Sequence, residues 1–416
     1  MHPFTALFLA ALLLATAVRL YLAYRHVRYV CAHRDRVPSA FVGAIPLEAH
    51  RKAADYTAVK TRFGMLGTLV DAVVLLALTF GEGLNFAHRV VSDVLAPGIG
   101  QGIALIALVA IVLSLIEIPF SLYRTFRIEE RFGFNKMTLK LFLIDLVKGA
   151  LVAALLGLPL VALIVWLMNV AGSLWWLYAW AAWSAFNLLM LALYPTFIAP
   201  FFNRFSPMQD EALRGRIERL LARCGFRAQG LFVMDGSRRS SHGNAYFTGF
   251  GRSKRIVFFD TLLARLEHAE IEAVLAHELG HFKHKHVLKR IAWMFAASLG
   301  LFWLLGSLMS HDWFYRALGV QSPSTAMALL LFFLVLPVFT FLLQPVAGFY
   351  SRRHEFEADR YAAQNASAAE LKQALIKLYK DNASTLTPDP LHSVFYDSHP
   401  PAAARIARLE AAAPAT

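Results

Sequence analysis

A chain of 416 residues is long enough for two or three soluble domains, but 57% hydrophobic and only 17% charged residues, with a mean hydropathy of +0.50, exclude that arrangement. The net charge of +13 does not indicate a nucleic-acid partner, because the lysines and arginines gather in loops between apolar runs rather than on one basic soluble face. Two cysteines, Cys31 and Cys224, are too few for a disulfide framework or a zinc finger, so any metal must be held by histidines and carboxylates.

Seven apolar runs of about 20 residues predict helices that cross a lipid bilayer. They lie near 4–24, 65–82, 99–122, 141–168, 174–198, 291–309 and 325–349. The first has no basic segment before it and continues to Arg25, so it reads as a retained span and not a cleaved signal peptide. Basic residues crowd the connections after spans one and three, the segment 199–290 and the tail after 350. The connections 83–98, 169–173 and 310–324 are short and poor in Lys and Arg. Seven spans put every basic segment on one side, which predicts an outside N-terminus and a cytoplasmic C-terminus.

Four ionisable residues, Asp71, Glu117, Asp145 and Lys148, fall at predicted membrane depth. Each costs at least about 2.5–3.5 kcal/mol at the bilayer centre, so the spans are expected to enclose water. Asp145 and Lys148, three residues apart, are also spaced to neutralise each other, whereas Asp71 and Glu117 have no such local partner. In the polar parts, a strand is predicted at 255–260, and helices from about residue 271, through Tyr361 and around 370–379. The chain thus divides into a five-span region (1–198), a cytoplasmic catalytic region (199–290), a membrane hairpin (291–349) and a cytoplasmic C-terminal region (350–416). The expected fold is predominantly α, a seven-helix integral membrane protein with a small cytoplasmic α+β domain.

Residues 277–281 read His-Glu-Leu-Gly-His. On a helix His277 and His281 share a face and can meet one Zn²⁺ ion, with Glu278 beside it to take a proton from water. The competing reading is a basic helix with surface histidines, among them His284 and His286. A catalytic zinc needs three protein ligands and an open position. The metzincin pattern would require Gly at 284 and His at 287, where the chain has His284 and Val287. A later glutamate is the other common solution, and 352–361 reads Arg-Arg-His-Glu-Phe-Glu-Ala-Asp-Arg-Tyr. Glu355 and Asp359 lie four apart on one face, so one can bind the metal while the other accepts a hydrogen bond from a ligand imidazole. Glu357 projects about 160° away and is the weaker candidate. Spans six and seven form a hairpin that returns the chain to the side of His281.

Further segments stand in one order between about 124 and 405. They are Ile-Glu-Glu-Arg-Phe-Gly-Phe-Asn-Lys at 128–136, Ser-Ser-His-Gly-Asn-Ala-Tyr-Phe at 240–247, Lys-Arg-Ile-Val-Phe-Phe-Asp-Thr-Leu-Leu at 254–263 and Ser-His-Pro-Pro at 398–401. With the zinc motif and Glu355-x-x-x-Asp359, the chain resembles the Ste24-type CAAX prenyl protease family of M48 zinc metallopeptidases. The resemblance implies a membrane chamber with the zinc site at its cytoplasmic end, and hydrolysis of peptide bonds near the C-terminus of prenylated proteins. It implies His277, His281 and Glu355 as zinc ligands, Glu278 as the base, Asp359 behind a ligand, and His399 at the oxyanion. Asn244 and Ala245 would lie on the edge strand that receives substrate, where backbone pairing needs little sequence specificity.

Two rivals are a quality-control protease with the same chemistry and a non-enzymatic transporter or receptor, which would bind no metal. An intramembrane site-2-type protease is disfavoured by Lys283, Lys285, Lys289 and Arg290, which separate the motif from span six. The Ala/Leu/Arg-rich composition and lack of an ER-retrieval signal favour a bacterial plasma membrane.

Overall fold

The computed structural model describes residues 1–227, 230–248 and 255–412; Lys254, at the head of the 254–263 block, lies outside the described residues, as do 413–416. Among the described residues seven helices are long and apolar enough to cross a membrane: Pro3–Ala32, Leu47–Thr79, Ile99–Glu129, Leu139–Val170, Gly172–Phe202, His286–Leu308 and Thr325–Asn365. Each contains or overlaps one predicted run, but several extend well past it. Span two begins eighteen residues early, because its polar first half buries His50, Ala53, Ala54, Tyr56 and Ala58. Span seven bends at Pro337 and a short 3₁₀ turn, Phe341–Leu343, and continues as the helix Gln344–Asn365. The 325–349 span and the helix carrying Glu355 are therefore one run, because the apolar stretch marks lipid thickness and not where the backbone ladder stops.

The largest hydrophobic core lies among the membrane helices. Phe8 and Leu12 of span one, Leu105 and Val109 of span three, Val165 and Met168 of span four, and Trp175 and Ala179 of span five pack there. Span seven runs through that cluster with Met327, Leu331 and Val335. Elsewhere the same helices expose apolar side chains such as Ile111, Leu115, Leu143, Leu155 and Leu189. Only 6% of the most apolar window is buried in spans two and five, so most of their apolar surface is left exposed.

The membrane-depth charges divide differently from expectation. Asp145 accepts two hydrogen bonds from Arg239 of the catalytic region, at 2.8 and 3.1 Å, and Lys148 donates to the Phe201 carbonyl at 2.8 Å. The two do not neutralise each other, because a guanidinium fork and a free helix carbonyl are better partners for them. Glu117 does find a partner, Arg124 at 3.6 Å, two turns further along its helix. Asp71 is exposed and has no partner among the described residues.

The segment between spans five and six contributes a four-stranded sheet. Its strands are β1 (Phe205–Pro207), β2 (Gly230–Met234), β3 (Ala245–Thr248) and β4 (Arg255–Phe259), in the order β1-β2-β4-β3. β2 and β4 are parallel, and β1 and β3 pair antiparallel to them at the two edges. Ile256 and Phe258 of β4 are fully buried against Leu275, Ala276 and Leu279 of the helix His268–Lys283, which carries the His-Glu-Leu-Gly-His motif. The strand predicted at 255–260 is β4, and the helix expected from 271 begins one turn earlier.

Candidate metal centre

The motif helix begins in a reciprocal capping box, in which Glu267 and Glu270 each accept from the other's backbone N–H. It ends at Lys283, where Lys285 takes a left-handed φ of 56° before His286 opens span six. Across it lies Gln344–Asn365, and a Cβ on Gly280 would stand 2.9 Å from the Ala358 Cα. The glycine between Glu278 and His281 therefore allows two backbones to touch, which brings Glu355 and Asp359 up to the histidines.

His277 Nε2 lies 3.2 Å from His281 Nε2 and 3.5 Å from Glu355 Oε2, and His281 Nε2 lies 3.4 Å from Glu355 Oε1. A tetrahedral zinc with bonds of about 2.0–2.1 Å separates its ligand atoms by about 3.3 Å, so the tripod has the size the ion requires. Glu355 Oε2 is buried and, among the described residues, has no hydrogen-bond partner. A buried carboxylate with an imidazole nitrogen facing each oxygen and no hydrogen bond on Oε2, whose other neighbour is Arg405 Nη1 at 3.9 Å, fits a cation between the three side chains.

Each imidazole is held from behind. His277 Nδ1 donates to Asp359 Oδ1 at 2.8 Å, and Arg405 clasps the same carboxylate with bonds of 2.9 and 2.6 Å. All three side chains are buried. Burial opposes charge on His277, but the hydrogen bond to Asp359 and the nearby Glu355 carboxylate outweigh it and raise its pKa to about 9. His281 Nδ1 faces His286 Nδ1 at 3.0 Å, while His286 Nε2 donates to Glu357 Oε2 at 2.9 Å. With that proton on His286 Nε2, its Nδ1 accepts from His281, and the Nε2 lone pair of His281 is free for the metal.

Glu357 thus serves the second histidine through His286, which is buried and not a surface histidine. Neither His286 nor Arg405 stood out in the sequence. Arg405 could have been found from the buried stripe Ala402, Arg405, Ile406 and Leu409, an arginine on the apolar face of the alanine-rich tail that must have a carboxylate partner. His286, His354 and Glu357 also lie close together, but the two rings are stacked at 3.8 Å and 8°. Parallel rings cannot aim in-plane lone pairs at one ion, so this trio is not a second metal centre.

Glu278 is half-buried, one residue after the first histidine, and no donor or cation pairs with it among the described residues. His399 Nε2 stands 3.5 Å from Glu355 Oε1, with its side chain 60% exposed on the open side of the tripod. Its loop is held by Arg352, which donates to the carbonyls of Ser393 and Asp397. Ala245 opens the edge strand β3, and the carbonyl of Asn244 just before it accepts from Phe259 at 3.0 Å. Phe247 of β3 packs 5.0 Å from Phe282, the residue after His281, so the strand lies alongside the motif.

Two family models divide the chain between them: the CAAX prenyl protease N-terminal region of five membrane helices matches residues 26–204, and peptidase family M48 matches 207–413. The chain belongs to the CAAX prenyl proteases of peptidase family M48. It is a multi-pass membrane protein and a metalloendopeptidase. It is 36% identical over 388 residues to the CAAX prenyl protease 1 homolog of Oryza sativa subsp. japonica, covering 90% of each chain. It is 32% identical to CAAX prenyl protease 1 of Saccharomyces cerevisiae, covering 94% of this chain and 91% of that one. The crystal structure of S. mikatae Ste24p matches with a TM-score of 0.89 at 30% identity, over 98% of this chain and 99% of that chain. In this member of the family, spans six and seven belong with the sheet and motif helix to the M48 part, inserted between the second histidine and Glu355.

Proposed function

We propose that the protein holds one Zn²⁺ ion on His277, His281 and Glu355 and cuts peptide bonds near the C-terminus of prenylated, CAAX-type substrates. The observation that carries the metal assignment is the tripod of two imidazole nitrogens and a buried carboxylate whose Oε2 makes no hydrogen bond. When bound, zinc supplies a Lewis acid that brings the pKa of water toward about 7 and polarises a carbonyl. Glu278 takes the proton from the attacking water and passes it to the leaving amine. His399, on the exposed side of Glu355, donates to the oxygen on which negative charge develops, an effect worth about 3–4 kcal/mol in comparable sites. Asp359 acts through His277, fixing the ring so that Nε2 faces the ion.

Asn244 and Ala245 offer substrate the edge of the sheet, and the prenyl chain lies among the membrane spans. The four-part division at 198, 290 and 349 describes this arrangement, with the catalytic regions facing the cytoplasm and the N-terminus outside. Charge in the connections supports that orientation. The membrane we assign is a bacterial plasma membrane, on composition alone; the relatives named above are eukaryotic.

The test is incubation of purified protein with a farnesylated C-terminal peptide and mass identification of the products. Cleavage next to the farnesylated cysteine, abolished by a chelator and restored by zinc, is the expected result. Cleavage of unfolded membrane protein with no response to farnesyl would assign the same chemistry to quality control.

A further inference from the structure

The metal centre uses neither the 128–136 block nor the turn at 240–243, yet the structure brings these two segments together. Glu129 ends span three, and the chain after it turns through Gly133 (φ 77°). The turn then pairs with the other segment: Lys136 N donates to the Arg239 carbonyl, Ser241 N donates to the Phe134 carbonyl, and Asn135 bridges to Ser240. The Phe134 ring stacks on His242 at 4.5 Å and 19°. Glu129 itself receives the Tyr56 hydroxyl of span two on Oε1 at 2.7 Å. Its Oε2 is buried without a hydrogen bond and faces His242 Nε2 at 3.7 Å.

The far side of the turn is held as firmly. One oxygen, Asn382 Oδ1, lies 3.3 Å from His242 Nδ1 and accepts from Gly243 N at 3.2 Å, while Thr261 Oγ1 donates to the His242 carbonyl at 2.9 Å. His242 thus has Asn382 at one ring nitrogen, the Glu129 carboxylate facing the other, and Thr261 on its carbonyl. Only Gly243 and Asn244 separate it from the first residue of β3. Because β3 has a strand on one side only, its register depends on β4 and on this turn.

We propose that Glu129 and Asn382 are positioning residues that clamp the 240–243 turn and so set the free edge of β3 against the metal. The clamp joins the cytoplasmic ends of spans two and three to the strand, so the membrane region fixes where a substrate backbone lies. This rests on the reading of β3 as the substrate-receiving edge.

The test uses the full chain and the farnesylated peptide, with kcat and KM measured separately, together with zinc content and amide exchange at 241–246. Asn382→Ala and Glu129→Ala should each raise KM about 10-fold with kcat within about twofold, and scatter cleavage to neighbouring bonds. Zinc content should stay at the wild-type level, which shows that the variants are folded. Asn382→Asp keeps the accepting oxygen and should return KM to near the wild-type value. Unchanged KM in both alanine variants overturns the proposal, even if exchange at 241–246 accelerates, because the turn would then be held for stability alone. An Asn382→Asp variant as impaired as Asn382→Ala also overturns it. The underlying reading fails separately: if the wild-type protein cuts a peptide N-methylated near the scissile bond as fast as its parent, substrate does not add to β3.

Discussion

The two histidines of the motif do the same job from opposite flanks of the site, and the flanks are built differently. Behind His277 stand a carboxylate and a buried guanidinium, so every charge is paired out of solvent. Behind His281 stands a second imidazole, then Glu357, which is 29% exposed and also pairs with the exposed Arg353. On the first flank Asp359 and Glu355 occupy successive turns of one helix, so the support of His277 and the third ligand move together. On the second flank the support comes from beyond the left-handed turn at Lys285. A closed charge network fixes position rigidly but fails badly when broken, because the surviving partner is stranded. A chain that opens to solvent is softer and loses less.

Breaking the first flank should therefore have the larger effect. Asp359→Ala leaves the buried Arg405 with only Glu355, 3.9 Å away, and should lower unfolding stability by about 3–5 kcal/mol. It should also weaken zinc binding on the order of 10–100-fold. Thermal unfolding and competition with a calibrated chelator measure the two effects. His286→Ala on the second flank should weaken zinc about 10-fold, with a stability loss of about 1–2 kcal/mol. Equal losses from the two substitutions would remove the asymmetry.

The smallest effect is the most specific. His277 must be neutral to bind metal, and its pKa of about 9 means that a proton competes for the ring below that pH. Zinc affinity should therefore rise about tenfold per pH unit from the ordinary imidazole range up to about pH 9, through this residue. Asp359→Asn removes the carboxylate that holds the proton there, and should move the upper end of that window down. His286→Ala should leave it in place. A window that stays put in Asp359→Asn would mean that Asp359 does not set the basicity of His277.

How much of this was legible follows from sequence distance. His277, Glu278 and His281 are neighbours on one helix, and Glu355 and Asp359 on another, so periodicity alone aligned them. Arg405 reaches Asp359 from the alanine-rich tail, and no local pattern links the two until the helix is seen to bury its arginine. His286 looked like one more basic-surface residue, because its partner Glu357 lies 71 residues away. The spans were found because about 20 apolar residues are required to cross a bilayer. Their ends were not, since polar turns such as the first half of span two continue the helix by packing on other parts of the protein. The partner of Asp145 was not legible for a related reason: Arg239 is 94 residues away, whereas spacing offered only Lys148 as an alternative to enclosed water.

The central claim is that His277, His281 and Glu355 hold the metal while Glu278 performs the proton transfer. It is tested most directly by measuring metal content and peptide hydrolysis in the same preparations of Glu278→Gln and Glu355→Ala. The account predicts that Glu278→Gln retains about one zinc per chain and cleaves nothing, while Glu355→Ala falls below about a tenth of an ion per chain. Hydrolysis at the wild-type rate by Glu278→Gln, or full zinc occupancy in Glu355→Ala, would contradict it.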